Sequence, residues 1–178
     1  MLEIGLANEI SVSELAAAWM PTTRELDVKI AFARQAGDEA GHFQLVAARL
    51  AALGFDIAAY QVPPANALFE HVRGLTTTIE RIAAGLVALE SIAYGVNDSF
   101  IAYCARCGDI DTVAIYRDFI QPDERAHQLL GRELLAKYAT DRDQQQVALD
   151  TVARVLELAA ATRARAAARL GAACFPGC

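Results

Sequence analysis

Two of the three histidines in this chain stand three residues after a glutamate. The two segments are Asp38-Glu39-Ala40-Gly41-His42 and Asp123-Glu124-Arg125-Ala126-His127. On a helix, residues i and i+3 lie on one face, so a carboxylate oxygen and an imidazole nitrogen can reach the same ion. A single motif of this kind could also be an exposed acidic turn with a chance histidine. Two of them predict a shared metal site built from Glu39, His42, Glu124 and His127.

A third carboxylate fits this site by its position in a helical hairpin. Divalent ions bound to neutral imidazoles need several anionic oxygens to balance their charge. Glu90 stands among apolar residues, and the turn at Gly108 lies 18 residues after it and 16 residues before Glu124. Folding of the hairpin would bring the two glutamates to the same level, so Glu90 is a predicted metal ligand.

The fourth carboxylate should come from the first helical stretch, which offers three glutamates. Glu9 precedes Glu39 by 30 residues, close to the 34 residues that separate the two glutamates of the other hairpin. We therefore predict Glu9 as the ligand, with Glu14 as the alternative. Glu3 lies beside a chain end that can fray.

Helix-breaking residues divide the chain into the elements that must position these side chains. The abundance of alanine and the lack of alternating apolar runs predict an all-α fold in a single domain, residues 1–178. Pro21, Gly54 and Gly108 mark breaks, and 55–66 is the longest connection. The expected helical stretches are 6–19, 24–53, 67–106, 110–138 and 141–170. They predict two antiparallel hairpins joined by a crossover, a four-helix bundle, with a fifth C-terminal helix added.

Two local features modify these helices. Pro122 removes one backbone hydrogen bond two residues before Glu124, so it should bend the fourth stretch or mark a new helix start. Arg163, Arg165 and Arg169 stand near the C-terminal end of the fifth helix, where the helix dipole favours cations. We expect this helix to serve packing.

The predicted ligands form an array that resembles the ferritin-like di-iron carboxylate superfamily over residues 5–138. The array is Glu9, Glu39-x-x-His42, Glu90 and Glu124-x-x-His127. The resemblance implies a ferritin-like bundle that binds two iron ions, with manganese or a mixed iron and manganese pair as alternatives. Asp38 and Asp123 match aspartates that orient a histidine ligand through its second nitrogen in the oxygenase branches. Each could instead be a helix-surface charge.

The branch of the superfamily stays open. Gly41 and Ala126 stand where multicomponent monooxygenases carry an arginine, which argues against a methane- or toluene-oxidising role. The phenylacetyl-CoA epoxidase or hydroxylase type and the rubrerythrin type both remain. The resemblance implies an enzyme, a non-haem di-iron oxygenase or oxidase, that activates dioxygen to hydroxylate or oxidise a small organic or acyl substrate. The alternatives are a ferroxidase or peroxide-scavenging protein of ferritin or rubrerythrin type, and a non-catalytic metal-binding helical subunit.

Residues around the ligands refine this hypothesis. Small residues such as Gly37, Gly41 and Ala93 could leave a cavity beside the metals, or could allow close helix packing. Tyr94 follows Glu90 by four residues and is the predicted catalytic side chain, with core packing as the alternative. No Gly-rich dinucleotide loop or iron-sulfur motif is present, so electrons should come from a donor protein.

Composition restricts the partners and the compartment. The formal charge of −6, with acidic and basic residues mixed along the chain, argues against nucleic-acid binding. The chain shows neither a signal-peptide pattern nor an apolar run long enough to cross a membrane, so we expect a cytoplasmic protein without a membrane partner. Cys104 and Cys107 are most simply small residues on one helix face, with a zinc or redox pair as the alternative, and no role is predicted for Cys174 and Cys178. Leftover apolar helix faces favour a homodimer.

Overall fold

The computed structural model describes residues 1–171, which are almost entirely helical and contain no β-strand. The all-α prediction is therefore confirmed for this part of the chain. Two short 3₁₀ turns, Met20–Thr22 and Ile57–Ala59, and two π-helical segments, Ile82–Leu89 and Tyr116–Ile120, accompany the α-helices. The α-helices are α1 (Leu2–Trp19), α2 (Leu26–Ala52), α3 (Ala67–Arg73), α4 (Thr78–Arg81), α5 (Glu90–Arg106), α6 (Ile110–Ile115), α7 (Gln121–Tyr138) and α8 (Arg142–Leu170).

Glycines and side-chain caps set most of the helix boundaries. Gly54 and Gly108 have φ angles of 89° and 76°, a backbone conformation that glycine adopts without steric cost. Asp141 begins α8 with a capping box, in which its carboxylate accepts from the Gln144 amide and the Gln144 side chain accepts from the backbone amide of Asp141. These ends agree closely with the expected turns after the second, third and fourth stretches.

The expected continuous helix over 67–106 is wrong at one place. Helix α3 ends at Arg73, with Gly74 as its C-cap, and the chain starts a new helix after Thr77. The Thr77 hydroxyl accepts from the Glu80 amide, and the Glu80 carboxylate accepts from the backbone amide of Thr77. This capping box satisfies amides that would otherwise lack partners, and it favours the break. From Thr78, α4, the π-helical segment Ile82–Leu89 and α5 run on without interruption.

The fourth stretch is continuous, but the turn before Pro122 is π-helical. Helix α6, the segment Tyr116–Ile120 and α7 follow one another directly. Pro122 has no amide hydrogen, so the carbonyl of Asp118 lacks the partner that an α-helix would give it. Pro122 lies in the first turn of α7, where a missing amide hydrogen costs least.

Two apolar clusters fill the interior. The first apolar cluster includes Trp19, Phe32, Leu86, Leu134 and Val155. The second apolar cluster includes Leu6, Val46, Phe100, Tyr116 and Ile120. The helical stretches 2–19, 26–52, 78–106 and 110–138 each contribute to both clusters, so each passes from one cluster to the other. The first and fourth run from the second cluster towards the first, and the other two run the opposite way.

Helix contacts are compatible with a bundle. Helix α1 packs along α2, while α7 packs against α5 and the segment Ile82–Leu89. Helix α8 lies against α3, α4 and the same segment, which agrees with the expected packing role of the fifth helix. Among the residues described, no helix combines the length and apolar character needed to span a membrane.

Candidate metal centre

The six predicted ligands meet in one buried layer between the two apolar clusters. The exposed fraction is 7% for Glu9 and 2% for each of the other five. They come from four separate helical stretches, and all stand between residues of the first and second clusters along those stretches. The six are Glu9, Glu39, His42, Glu90, Glu124 and His127.

The Nδ1 atom of each histidine faces two carboxylates. His42 Nδ1 lies 3.5 Å from Glu9 Oε2 and 3.4 Å from Glu39 Oε2. His127 Nδ1 lies 3.6 Å from Glu39 Oε1 and 3.5 Å from Glu90 Oε1. These separations exceed those of ordinary N–H···O hydrogen bonds. Two atoms that each bind one ion at about 2.1 Å, with an angle near the tetrahedral value, would lie roughly 3.4 Å apart.

Two carboxylates belong to both halves of the layer. One group of ligand atoms comes from Glu9, Glu39, His42 and Glu124, and the other comes from Glu39, Glu90, Glu124 and His127. Within each group the atoms lie within 4.8 Å of one another. Glu39 directs a different oxygen towards each histidine. The cluster could therefore hold a metal ion, and its two halves share Glu39 and Glu124.

Unsatisfied buried atoms provide a test of this fit. His42 Nδ1, His127 Nδ1 and Glu124 Oε2 are buried, and none has a hydrogen-bond partner within the described residues. Native proteins leave few buried polar atoms unpaired, because each such atom costs free energy. All three are lone-pair donors directed into the cluster, so a bound cation would satisfy them. The residues present fit a metal.

Burial also disturbs the ionisation of the carboxylates. It raises the pKa of Glu90 to about 8, and it raises the pKa values of Glu9 and Glu124 well above the usual range. In Glu124 the nearby Glu90 carboxylate adds to this effect. Burial also opposes ionisation of Glu39, but the imidazoles of His127 and His42 outweigh it and lower the Glu39 pKa to about 2.

The neighbouring carboxylates raise the pKa values of both histidines. Burial opposes protonation of His42, yet the carboxylates of Glu39 and Glu9 outweigh it and raise the His42 pKa to about 11. In the same way Glu39 and Asp38 raise the His127 pKa to about 8. Without a cation the layer would therefore bind extra protons at neutral pH. A metal ion would have to displace these protons, as is usual for protein metal sites.

The two predicted orienting aspartates contact the histidines in a crossed arrangement. Asp123 Oδ2 lies 3.2 Å from His42 Nε2, and Asp38 Oδ2 lies 3.0 Å from His127 Nε2. Each aspartate therefore contacts the histidine of the other motif, on the other helix. A proton held on Nε2 by the aspartate leaves the Nδ1 lone pair free for a metal.

The alternative ligand on the first helix lies elsewhere. Glu14 is more than half exposed and forms an ion pair with Arg73 at 3.2 Å. It belongs to neither group of candidate ligand atoms, while Glu9 belongs to one of them.

Three polar residues at the centre were not predicted from the sequence. Gln35 is buried, and its Nε2 donates to Glu90 Oε1. Asn97 Nδ2 donates to Glu124 Oε1 at 3.4 Å. Tyr116 is buried beside the layer, and burial together with Glu9 raises the pKa of its phenol. Gln35 lies four residues before Glu39, so helical spacing offered a signal for this side chain.

A match to a family of sequences covers most of the chain. The model of the family described as "Protein of unknown function (DUF455)" matches residues 11–174. The chain belongs to the DUF455 family. No curated protein and no solved structure matches this DUF455 chain.

A cavity of about 220 Å³ opens beside the carboxylates of this DUF455 protein. Glu9, Glu39, Glu90 and Glu124 all line it. Ala93 is the only one of the small residues expected to leave room that lines it. Gly37 and Gly41 line a shallower depression on the other side of the site, together with His42 and the aspartates Asp38 and Asp123.

Tyr94, the predicted catalytic residue, is half-buried and is not among the residues that line the cavity. Its backbone carbonyl accepts a hydrogen bond from Gln121 Nε2 at 3.2 Å. A direct role for Tyr94 in chemistry remains a prediction. Tyr116 does line the cavity, and its hydroxyl lies close to Gly5 on α1.

Cys104 and Cys107, the two cysteines that the structure describes, belong to neither group of candidate ligand atoms. Cys104 is buried in the second apolar cluster, and Cys107 is exposed. Burial raises the pKa of the Cys104 thiol, which suits a packing role rather than a reactive one. Cys174, Cys178 and the side chain of Arg169 lie outside what the structure describes.

Proposed function

We propose that this protein is a ferritin-like di-iron oxidoreductase that activates dioxygen to hydroxylate or oxidise a small organic or acyl molecule. The observation that carries the proposal is the sharing of Glu39 and Glu124 between two groups of buried ligand atoms, each of which has its own histidine. One ion needs only one such group. Two groups with two shared carboxylates suit a pair of ions.

The ligand chemistry favours iron. Two imidazoles and four carboxylates form a mixed nitrogen and oxygen set, which suits iron or manganese better than a thiolate-preferring metal. A pair of ferrous ions would supply the electrons that reduce dioxygen. Glu39 and Glu124 would contact both ions, whereas Glu9 with His42 and Glu90 with His127 would each serve one.

The direction of the helices supports a ferritin-like arrangement. Helix α2 ends near the second apolar cluster, while the stretch that starts at Thr78 begins near the first cluster. The intervening chain must therefore return along the length of the bundle. Such a crossover between two antiparallel hairpins is the connection found in ferritin-like bundles.

The cavity favours an organic substrate over iron storage or peroxide removal. It reaches all four candidate carboxylate ligands, and most of its wall is apolar. Neither iron oxidation nor peroxide scavenging needs an apolar space of this kind. Because the sequence has no motif for a redox cofactor, we include an electron-donor protein in the proposal.

Metal content is the first test. The purified protein should bind close to two irons per chain. Glu39→Ala should lower this number while the helical circular dichroism signal survives, and exposed Glu133→Ala on α7 is a matched control. On the first helix, Glu9→Ala should lose iron and Glu14→Ala should keep it. Equal iron contents in the Glu9 and Glu14 variants would contradict the ligand assignment.

Reactivity is the second test. Rapid mixing of the ferrous protein with dioxygen should produce a transient optical absorption that the Glu39→Ala variant lacks. Bound iron that gives no change with dioxygen would support a non-catalytic metal-binding subunit instead. Rapid turnover of peroxide or of added ferrous ions, without oxidation of any organic molecule, would support the ferroxidase or scavenging alternative.

A further inference from the structure

The cavity beside the carboxylate layer has two chemically different ends. Its inner end is formed by the four buried candidate carboxylates and by Asn97. Half-buried and exposed residues form its outer end, and the polar ones among them are Asn8, Asn66, Thr162 and Arg163. Between these ends, the wall consists mainly of apolar side chains of α1, α3 and α5, including Val12, Phe69, Ile92 and Val96.

Arg163 is the one side-chain cation among the described residues that line this cavity. It is half-buried, and it forms no ion pair with a carboxylate in the part of the chain that the structure describes. Its guanidinium therefore keeps its hydrogen-bond donors for another partner. A planar guanidinium binds a carboxylate or a phosphate through two parallel hydrogen bonds.

Asn66 adds a further donor at the same end. Its Oδ1 atom accepts from the backbone amides of Leu68 and Phe69, which begins α3. This bonding fixes the side-chain amide and leaves its NH₂ group as the free part. With Arg163 and the hydroxyl of Thr162, the polar end of the cavity offers donors to an anion.

We propose that this cavity binds a small organic acid, whose anionic head contacts Arg163 and whose apolar body lies along the α1 and α5 wall towards the carboxylate layer. The lining part of α5, from Glu90 to Phe100, extends about 15 Å at 1.5 Å per residue. The volume lies below the roughly 300–1,000 Å³ of cavities for drug-sized ligands, so the ligand is small. The inference rests on the proposed function for the chemistry at the inner end, but the binding itself needs no dioxygen.

Anaerobic calorimetry on the iron-loaded protein tests this binding. The probes are octanoate and octyl phosphate, which carry two kinds of anionic head, and 1-octanol, which carries none. At least one anion should bind, and more tightly than 1-octanol. Arg163→Ala should weaken that binding about tenfold to a hundredfold, the effect of a lost charge-assisted hydrogen bond, and should leave 1-octanol binding unchanged. The tighter of the two anions identifies the head group.

Arg165→Ala is the matched control, because Arg165 is exposed on the same helix and does not line the cavity. It removes the same charge and should leave anion binding unchanged. Equal binding of the tighter anion by the wild-type and Arg163→Ala proteins would overturn the proposal, since the head would then lie elsewhere, for example on the metal. Equal weakening in both variants, or no binding of either anion, would also overturn it.

The outcomes separate this inference from the proposed function. If anion binding depends on Arg163 but the ferrous protein is inert to dioxygen, the binding site stands and the oxidase proposal fails. If dioxygen reacts but Arg163→Ala binds the anions normally, the oxidase proposal stands and the substrate class is wrong.

Discussion

Each histidine at the candidate metal centre is held from both sides. An aspartate of the opposite motif contacts Nε2, and carboxylates of the layer face Nδ1. The aspartates are about one third to one half exposed, unlike the ligands they orient. Their contacts fix the ring orientation and tautomer, and the Asp38 contact also helps to raise the His127 pKa.

Asp123→Ala should weaken metal binding about tenfold to a hundredfold, the usual effect of losing a group that orients a ligand. Helical content should not change, because the side chain is half exposed. Affinity can be measured by competition with a chelator. Asp118→Ala is the control, since Asp118 is exposed and pairs with Arg117. A similar loss in both variants would point to general electrostatics instead of histidine orientation.

The sequence pointed to the ligands because their spacing follows directly from helix geometry. Glu39 and His42 share one helix face, and counting residues around a turn placed Glu90 opposite Glu124. Asn97 had no such signal, since a single amide on an apolar face implies no partner until the opposite helix is known. Gln35 lies four residues before Glu39 on the same helix face, but that spacing does not identify its partner Glu90. The prediction of Tyr94 rested on its α-helical spacing from Glu90, which does not tell which side of α5 borders the cavity.

At the scale of whole helices, the largest differences from the predicted helices are two π-helical segments that lie before the candidate ligands of α5 and α7. A π-helical segment comes directly before Glu90 and another comes before α7. Such segments are frequent near functional sites. Each one rotates the helix face on which the following side chains lie. The apolar run that forms the first segment looks like any buried helix in sequence. The break at Gly74, by contrast, did have a signal in the spacing of Thr77 and Glu80.

Helix α7 approaches the segment Ile82–Leu89 so closely that only glycine fits at the crossing. A Cβ atom on Gly131 would lie 2.7 Å from Leu86 Cβ and 2.9 Å from the Leu86 backbone. Gly131→Ala should therefore lower the free energy of unfolding by about 1–3 kcal/mol or more through overpacking. Urea unfolding measures this change.

Gly95→Ala is the matched control for this crossing. Gly95 lies inside α5, and a Cβ atom there would meet nothing within 4 Å. The change should raise the free energy of unfolding by up to about 1 kcal/mol, because alanine is the better helix former. Destabilisation of similar size in both variants would show that the close crossing is not the cause.

At the scale of the whole molecule, a layer of ionisable groups separates two apolar clusters. The all-helical class was predictable, since composition and periodicity report it directly. The placement of the layer between two clusters was not, because it depends on the register of four helices at once. This arrangement makes stability depend on what neutralises the layer.

The stability of the metal-free protein should fall as pH rises. The folded-state pKa values of Glu90, His42 and His127, about 8, 11 and 8, lie above their usual values of 4.5, 6.5 and 6.5. The folded state then holds more protons than the unfolded state, so raising the pH favours unfolding. The stability that Glu90 contributes is lost between about pH 4.5 and 8. The loss of the histidines' contribution begins near pH 6.5.

Thermal unfolding between pH 6 and pH 9 measures this dependence. The metal-free protein should show a falling Tm over that range. The metal-loaded protein should show a flat or rising Tm, because metal binding releases protons and strengthens as pH increases. Parallel Tm curves with and without metal would contradict the assignment of these groups to the metal centre.

The crossed contacts between the two motifs also bear on how the protein is made. His42 meets an aspartate 81 positions further along the chain, and His127 meets one 89 positions earlier. Neither half of the centre is complete in a nascent chain that ends before α7. Synthesis of the chain must therefore pass residue 127 before both groups of candidate ligand atoms are complete.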